Sequence, residues 1–400
     1  MGETERSRAE VGVWLLAGLA FVVGTVELVV AGVLDELAAS FAVSQGRAGL
    51  LMSLYALVYA LLGPLLVYLS AGIERRRLLA GALLAFIGAN LASAAAPSFA
   101  LLLASRLLVA ASASVIVVVA ITLAVAIVAP ERRGRAIGLV FAGIVASLVL
   151  GVPLGTLIGE FWGWRSLFLL LAGVALLGLP LLLRLLPAIP GAPGAPGIAP
   201  AEQLRALARG RVPFAHLASL LQMTGQFTVY TYIVPFLVGS MALDKPTISL
   251  VLLVYGGGGI LGALLGGRAA DRWPGPATFV AFLLLHALAL VLLPFATGGL
   301  PLLLGAVVFW CVFNMAPGPA IQKYLVELSP DTAAIQISLN TSAIQLGVAL
   351  GAFIGAILVD QVAVRALPWW GAALILGAAA CGWLSAQRPA GTADCRERLD

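Results

Sequence analysis

V-G-V-W-L-L-A-G-L-A-F-V-V-G-T-V-E-L-V-V-A-G-V, residues Val11–Val33, is a run of more than twenty residues that is apolar except for Thr25 and Glu27. As a helix it is long enough to cross a hydrocarbon layer about 30 Å thick. A carboxylate near the middle of such a span costs roughly 2.5–3.5 kcal/mol on insertion scales. Ionisable groups placed there are functional by default, so Glu27 reads as a proton or cation site.

The whole chain agrees with that opening. Its 400 residues are 62% hydrophobic and only 10% charged, with a mean hydropathy of +1.08. A soluble domain carries about 25% charge, so this composition describes a chain in lipid. Breaking the apolar runs at Pro, Gly and charge gives twelve candidate spans. They cover 11–33, 47–69, 78–96, 99–123, 136–158, 166–186, 213–238, 247–268, 277–295, 299–322, 333–358 and 367–385. The first run is too long for the core of a signal peptide and is expected to remain as a span. Cys311, Cys381 and Cys395 stand apart without a CxxC, which suggests neither a disulfide framework nor a metal centre. The net charge of +5 serves topology rather than nucleic-acid binding.

Orientation follows from the basic residues. With the N-terminus inside, eighteen Lys and Arg fall in inside segments and four in outside ones, Arg47, Arg165, Lys245 and Arg365. This positive-inside bias places both termini in the cytoplasm and the chain in a cell or inner membrane. Arg106 belongs to neither side, because it lies within the fourth span.

The Pro/Gly-rich stretch Pro187–Pro200 cannot hold helix or a core. It divides the chain into a six-helix half at 1–186, a linker at 187–212 and a second half with a short tail at 213–400. Within the linker, Ala201–Val212 is mildly amphipathic and reads either as a helix on the inner surface or as a short solvated segment. A repeat crosses the linker at an offset of 200 residues. Pro130-Glu131 falls on Pro330-Asp331, Gly151 and Gly155 on Gly351 and Gly355, Glu160 on Asp360, Arg165 on Arg365, and Tyr55 on Tyr255. Two parallel six-span repeats are expected to be related about the membrane normal.

Small residues recur every four positions at Ser147, Gly151, Gly155 and Gly159, at Gly258, Gly262 and Gly266, and at Ala343, Gly347, Gly351 and Gly355. Such stripes allow close approach of helix backbones. They read either as tight packing or as sliding contacts between the halves.

Together these features resemble the major facilitator superfamily, and within it the twelve-span drug/proton antiporter branch with the sugar-efflux and chloramphenicol-resistance-like exporters. The resemblance rests on G-T-V-E-L-V-V-A-G-V-L-D-E-L-A-A-S-F-A-V-S (Gly24–Ser44) and on G-V-P-L-G-T-L-I-G (Gly151–Gly159) followed by W-G-W-R (Trp162–Arg165). Y-T-Y-I-V-P-F-L (Tyr230–Leu237) and S-L-N-T-S-A-I-Q-L-G (Ser338–Gly347) carry it into the second half. It implies an all-α membrane fold of twelve helices, alternating access, and gating or motif roles for Arg75, Arg76, Asp271, Arg272, Gly151, Pro153 and Gly155. There are departures. Leu69–Arg77, L-S-A-G-I-E-R-R-R, keeps the basic cluster of the family's loop motif but has Ala71 and Gly72 where an Asp-Arg pair belongs. The copy at Gly267–Arg272, G-R-A-A-D-R, keeps that pair, so an inner gate would rest more on the second half. On the fourth span Arg106 is kept, but Val109 and Ala110 stand at the following motif positions.

By helical rise, Glu27 lies about 12 Å below the outer end of its span and Arg106 about 10 Å deep in its own. At matching depth the two would relieve each other's desolvation, directly or through water, either as a proton-coupled pair or as a static lock between helices. Asp35 reads as a second titrating group at the cavity mouth or as a plain outer-end charge. Gln222, Gln226 and Tyr230 are spaced four apart on the seventh span, and Gln336 and Asn340 likewise on the eleventh, with Gln345 further along and Asn314 on the tenth. These polar faces suit a wet substrate cavity or hydrogen bonding between helices. Tyr55 and Tyr59 add aromatic surface on the second span, and His216 and His286 read as structural.

No HExxH, GxSxG, Walker A or Cys/His cluster occurs, so neither an enzyme nor ATP drive is expected. The reading is a monomeric, cofactor-free, proton-coupled exporter of small organic molecules, with protons, substrate and bilayer as its partners and no nucleic acid. The alternatives are an uncoupled or uptake facilitator for sugars or nucleosides, and a sensor that keeps the fold without transport.

Overall fold

The structure, a computed structural model, describes residues 3–70, 72–129, 132–191, 210–329 and 332–387. The Ala71 departure, most of the linker, the 130–131 and 330–331 repeat positions and the C-terminal tail lie outside the described residues. Within them the chain is helical throughout. In order, it runs α1 (Glu3–Gly32), α2 (Leu34–Ser40), α3 (Gln45–Leu69), α4 (Arg75–Ala95), α5 (Phe99–Ala126), α6 (Arg133–Ala146), α7 (Val152–Trp162) and α8 (Trp164–Leu185). It continues as α9 (Val212–Tyr230), α10 (Ile233–Met241), α11 (Lys245–Arg272), α12 (Gly275–Leu292), α13 (Leu300–Met315), α14 (Pro317–Leu328), α15 (Ala333–Gln361) and α16 (Leu367–Gln387).

Eleven helical stretches among the described residues are long and apolar enough to cross a membrane. The expected seventh span is the exception. It is present as α9 and α10, but it carries Gln222, Thr224, Gln226 and Thr228 and breaks at Thr231–Tyr232. Pro235 explains the break, since it has no N–H to offer the carbonyl four residues earlier. The expected fifth span shows the milder form of the same effect. A wide π turn at Ser147–Gly151 separates α6 from α7, just ahead of Pro153.

The chain clusters into two compact units. One comprises 1–195 with 233–238 and 243–253; the other comprises 196–232, 239–242 and 254–400. The boundaries thus differ from a plain cut at the linker, because two short segments around the α10–α11 connection join the first unit.

Each unit repeats the other's packing scheme. In the first, α1 packs on α6–α7 and on α8, while α4 packs on α5 and α8. In the second, α9 packs on α15 and α16, while α12 packs on α13–α14 and α16. The 200-residue offset reaches into the backbone. Ala42 and Ala242, at the ends of the corresponding helices, are the non-glycine residues with positive φ among the described residues, both at 49°. Two positions later Ser44 Oγ accepts from Arg47 N–H at 3.1 Å, and Asp244 Oδ1 accepts from Thr247 N–H at 3.3 Å. The same strained residue followed by the same helix cap starts the second span of each repeat.

The small-residue stripes sit inside the units. A Cβ on Gly151 would overlap Thr25, and one on Gly155 would overlap Val29, so α1 lies tight against the α6–α7 helix. Gly262 and Gly266 abut the backbone of Val312 and Ala316, and Gly347 and Gly351 abut Leu220 and Thr224. The sliding-contact reading is therefore corrected: the glycines are occupied in close packing within each bundle.

Candidate functional site

In the first unit the fully buried Arg106 projects from α5 toward α1. Its Nη2 donates to the Val26 carbonyl at 2.9 Å, and its guanidinium lies 4.6 Å from the centre of the Tyr55 ring and 5.8 Å from that of Phe168. Nε and Nη1 have no hydrogen-bond partner among the described residues. Val26 immediately precedes Glu27, so α1 presents a backbone oxygen and a carboxylate side chain in the same turn. Glu27 is half-buried and within electrostatic range of Arg106, Tyr55 and Tyr59. Tyr55 and Tyr59 stack with ring centres 6.4 Å apart. Glu27, Arg106, Tyr55 and Tyr59 are thus gathered in one place, with two guanidinium nitrogens of Arg106 left without hydrogen-bond acceptors among the described residues.

Asp35 stands apart from them on α2, beyond the spanning part of α1. Gln45 Nε2 donates to its Oδ1 at 2.8 Å, and Glu36 beside it forms a 2.8 Å ion pair with Lys245. Burial pushes the Asp35 carboxyl above its ordinary 3.8, against the opposing pull of Lys245 and the Gln45 hydrogen bond, and Glu36 adds to the rise.

In the second unit the hub is Gln226. Its Oε1 accepts from Trp310 Nε1 at 2.8 Å and meets His286 Nε2 at 3.1 Å, while its Nε2 donates to Tyr255 Oη at 2.7 Å. Asn314 Nδ2 donates to the same hydroxyl at 3.1 Å, and Gln222 Nε2 donates to the Asn314 carbonyl at 3.1 Å. Tyr230, Tyr255 and Trp310 form an aromatic cluster, with ring centres 5.1 and 4.9 Å apart for the pairs that share Tyr255. The Asn314 Oδ1 and His286 Nδ1 have no partner among the described residues. This is a neutral, buried, amphipathic cluster: aromatic faces beside open acceptors.

The remaining second-half residues fall elsewhere. Gln336 Oε1 meets His216 Nε2 at 2.9 Å in a separate group that holds buried Asn340, whose Oδ1 is open. Gln345 is half-buried. His286, expected to be structural, is part of the Gln226 network, and Tyr255 and Trp310 were not anticipated there. Two signals could have found them. Tyr255 is the repeat partner of Tyr55, and Trp310 is a tryptophan deep within a span, whereas tryptophans favour membrane boundaries.

Several of the motif residues hold backbone ends in place. Arg75 N–H donates to the Ile189 carbonyl at 2.9 Å, and Arg76 Nη1 donates to the Leu183 and Leu186 carbonyls at 3.3 and 3.2 Å, capping the end of α8. Glu74 bridges Arg76 and Arg77. Asp271 and Arg272 are exposed and form no ion pair among the described residues; Lys323 instead donates to the neighbouring Ala270 carbonyl. Gly163, at φ 76°, turns the W-G-W-R corner, where Arg165 lies over the Trp164 ring at 4.2 Å and bonds the Ala96 carbonyl at 3.1 Å. The Pro153 carbonyl accepts from Ser249 Oγ at 2.8 Å.

Known proteins resemble this chain in sequence and in fold. The MFS-type transporters YbcL and YtbD of Bacillus subtilis (strain 168) are 32% and 30% identical, with alignments covering 90% and 92% of this chain and 92% and 93% of theirs. Among solved structures, a bacterial homolog of the human lysosomal transporter Spinster, inward-facing and unoccupied, superposes with a TM-score of 0.79 at 18% identity over 96% of this chain and 98% of its own. A D-xylose–proton symporter gives 0.72 at 18% identity, over 93% and 96%. The Major Facilitator Superfamily model matches twice, at residues 16–242 and 215–396. A multi-pass helical chain with this repeat, these relatives and this double match belongs to the major facilitator superfamily.

Proposed function

We propose that this transporter is a proton-coupled exporter of small organic molecules, with Glu27 as the proton site and Arg106 as its electrostatic partner. The observation that carries the proposal is Arg106, wholly buried, with one backbone hydrogen bond and two unfilled donor nitrogens beside a spanning carboxylate. A buried cation so incompletely satisfied needs a counter-charge, and Glu27 supplies one only while ionised. Protonating Glu27 removes that charge and leaves Arg106 for an anionic or acceptor group of the substrate. Proton and substrate then exclude each other, which is the requirement for exchange. Within the second unit, the Gln226–Tyr255–Trp310 cluster offers stacking faces and hydrogen-bonding groups suited to a neutral solute.

A second reading, proton-coupled uptake of a polar neutral solute, is favoured by the amide- and indole-rich character of that cluster. One assay separates the two. Proteoliposomes enclosing a pH-sensitive dye are exposed to an external panel of phenicols, hydrophobic dyes, pentoses and nucleosides. Inward movement of a compound in exchange for protons makes the lumen alkaline, whereas cotransport makes it acid. Movement with no pH change would refute coupling of either kind. Glu27→Gln should still carry the compound down its gradient while abolishing the pH change. A Glu27→Gln protein that still moves protons would remove Glu27 from the mechanism.

A further inference from the structure

We propose that the cleft between α1 and α6 is a binding site for an anionic diacyl phospholipid. The cleft lies within the first unit and has a volume of about 420 Å³. Arg132 and Arg135 line it at the start of α6, Leu139 and Ala142 line it one to two turns further along, and Val13 and Trp14 supply the α1 side. That order, cations at one end and apolar side chains along the rest, matches one molecule with an anionic head and an acyl chain.

Three further observations converge on the same occupant. First, the site lies at a membrane boundary. The apolar run of α1 begins at Val11, directly after Glu10, and Trp14 one turn on is 65% exposed. A tryptophan at that position sits at the level of lipid headgroups. Second, the electrostatics of α6 are unfavourable without an anion. Its first turn carries Arg133 and Arg135 and no acidic residue, and no side chain caps its N-terminus. Cations oppose the positive end of a helix dipole, whereas a phosphate there would be stabilised by both the dipole and the guanidinium groups. Third, the groove is open where a lipid chain would run. A Cβ on Gly138 meets nothing within 4 Å, and Phe141 and Val145 extend the exposed apolar track along α6.

Arg132 is at present held by Glu10, with Nη1 to Oε1 at 2.7 Å between two largely exposed side chains. A phosphate entering the cleft competes with Glu10 for that nitrogen. The pair therefore acts as a door to the site rather than as a structural clamp, since an exposed pair is worth little by itself.

The test uses the full chain purified in detergent and titrated with dioleoyl phosphatidylglycerol or dioleoyl phosphatidylcholine, with bound lipid counted by native mass spectrometry. One phosphatidylglycerol should bind in clear preference to phosphatidylcholine, and the preference should fall as salt is raised. R132Q/R135Q should weaken phosphatidylglycerol about 30-fold, as expected for two juxtamembrane arginines, while R132K/R135K should retain most of the preference. Glu10→Gln should tighten binding by freeing Arg132. Gly138→Trp fills the groove with the charges intact and should abolish binding without lowering thermal stability. Equal affinity for the two lipids, or unchanged binding in both R132Q/R135Q and Gly138→Trp, would overturn the proposal. Complete displacement of the lipid by glycerol phosphate would also overturn it, by assigning the cleft to a soluble anion.

Discussion

At the scale of residues, Arg106 and Asp35 show how differently one environment treats two charges. Arg106 is surrounded by protein and meets a carbonyl, two aromatic faces and a nearby carboxylate. Aromatic rings stabilise a guanidinium without supplying a base. Asp35 is in the opposite position. Burial outweighs Lys245 and Gln45, and its carboxyl is raised above 3.8. A raised acid means that the folded chain binds more protons than the unfolded one between 3.8 and the native value. Stability from Asp35 is accordingly lost as pH climbs through that window and stays lost at neutral pH. Asp35→Asn should therefore unfold at a higher temperature than the parent at pH 7, with the gain shrinking to nothing as pH falls below about 4. Thermal unfolding in detergent at both pH values checks this, and a gain that grows toward acid would reverse the argument. Glu27 and Arg106 were legible in the sequence because a charge in an apolar span is conspicuous. His286 was not, since a neutral side chain announces nothing until its neighbours, Gln226 on another helix above all, are known.

At the scale of elements, the glycine stripes illustrate what a pattern states and what it omits. The four-residue spacing marked the close-packed face of three helices correctly. Which helix lies against that face is a tertiary fact, and the structure puts the partner inside the same unit each time. Prolines were more informative, since Pro153 and Pro235 each act through a missing N–H on their own helix. Helix α11 permits a controlled comparison. A Cβ at Gly262 would overlap the Val312 backbone, which cannot rotate aside, whereas one at Gly257 meets open space. Gly262→Ala should lower stability by about 1–3 kcal/mol through overpacking. Gly257→Ala should be neutral or stabilising by up to about 1 kcal/mol, because alanine is the better helix former. Denaturation of both variants under one set of conditions decides the matter, and equal losses would mean that the glycines serve flexibility rather than contact.

At the scale of the whole molecule, the repeat is written in sequence, in backbone and in packing partners alike, from the Tyr55/Tyr255 pair to the positive φ shared by Ala42 and Ala242. Duplication of a six-span unit demands an even number of crossings, yet only eleven stretches satisfy length and apolarity among the described residues. The twelfth crossing must be made by α9–α10, whose amides and hydroxyls lower its apolarity because they bond within the second unit rather than face lipid. Parity makes this testable. If α9–α10 crosses, the C-terminus lies on the N-terminal, arginine-rich side; if it does not, every later segment is inverted. Green fluorescent protein fused after Asp400 should then fluoresce in cells, and alkaline phosphatase fused after Gly298, between α12 and α13, should be active. The inverted result, a dark C-terminal fusion and an inactive phosphatase, would mean that the polar helix stays on one side. In that case α9 could not bring Gln226 to Tyr255, His286 and Trp310 within the membrane, and the distribution of eighteen basic residues against four would have lost its meaning.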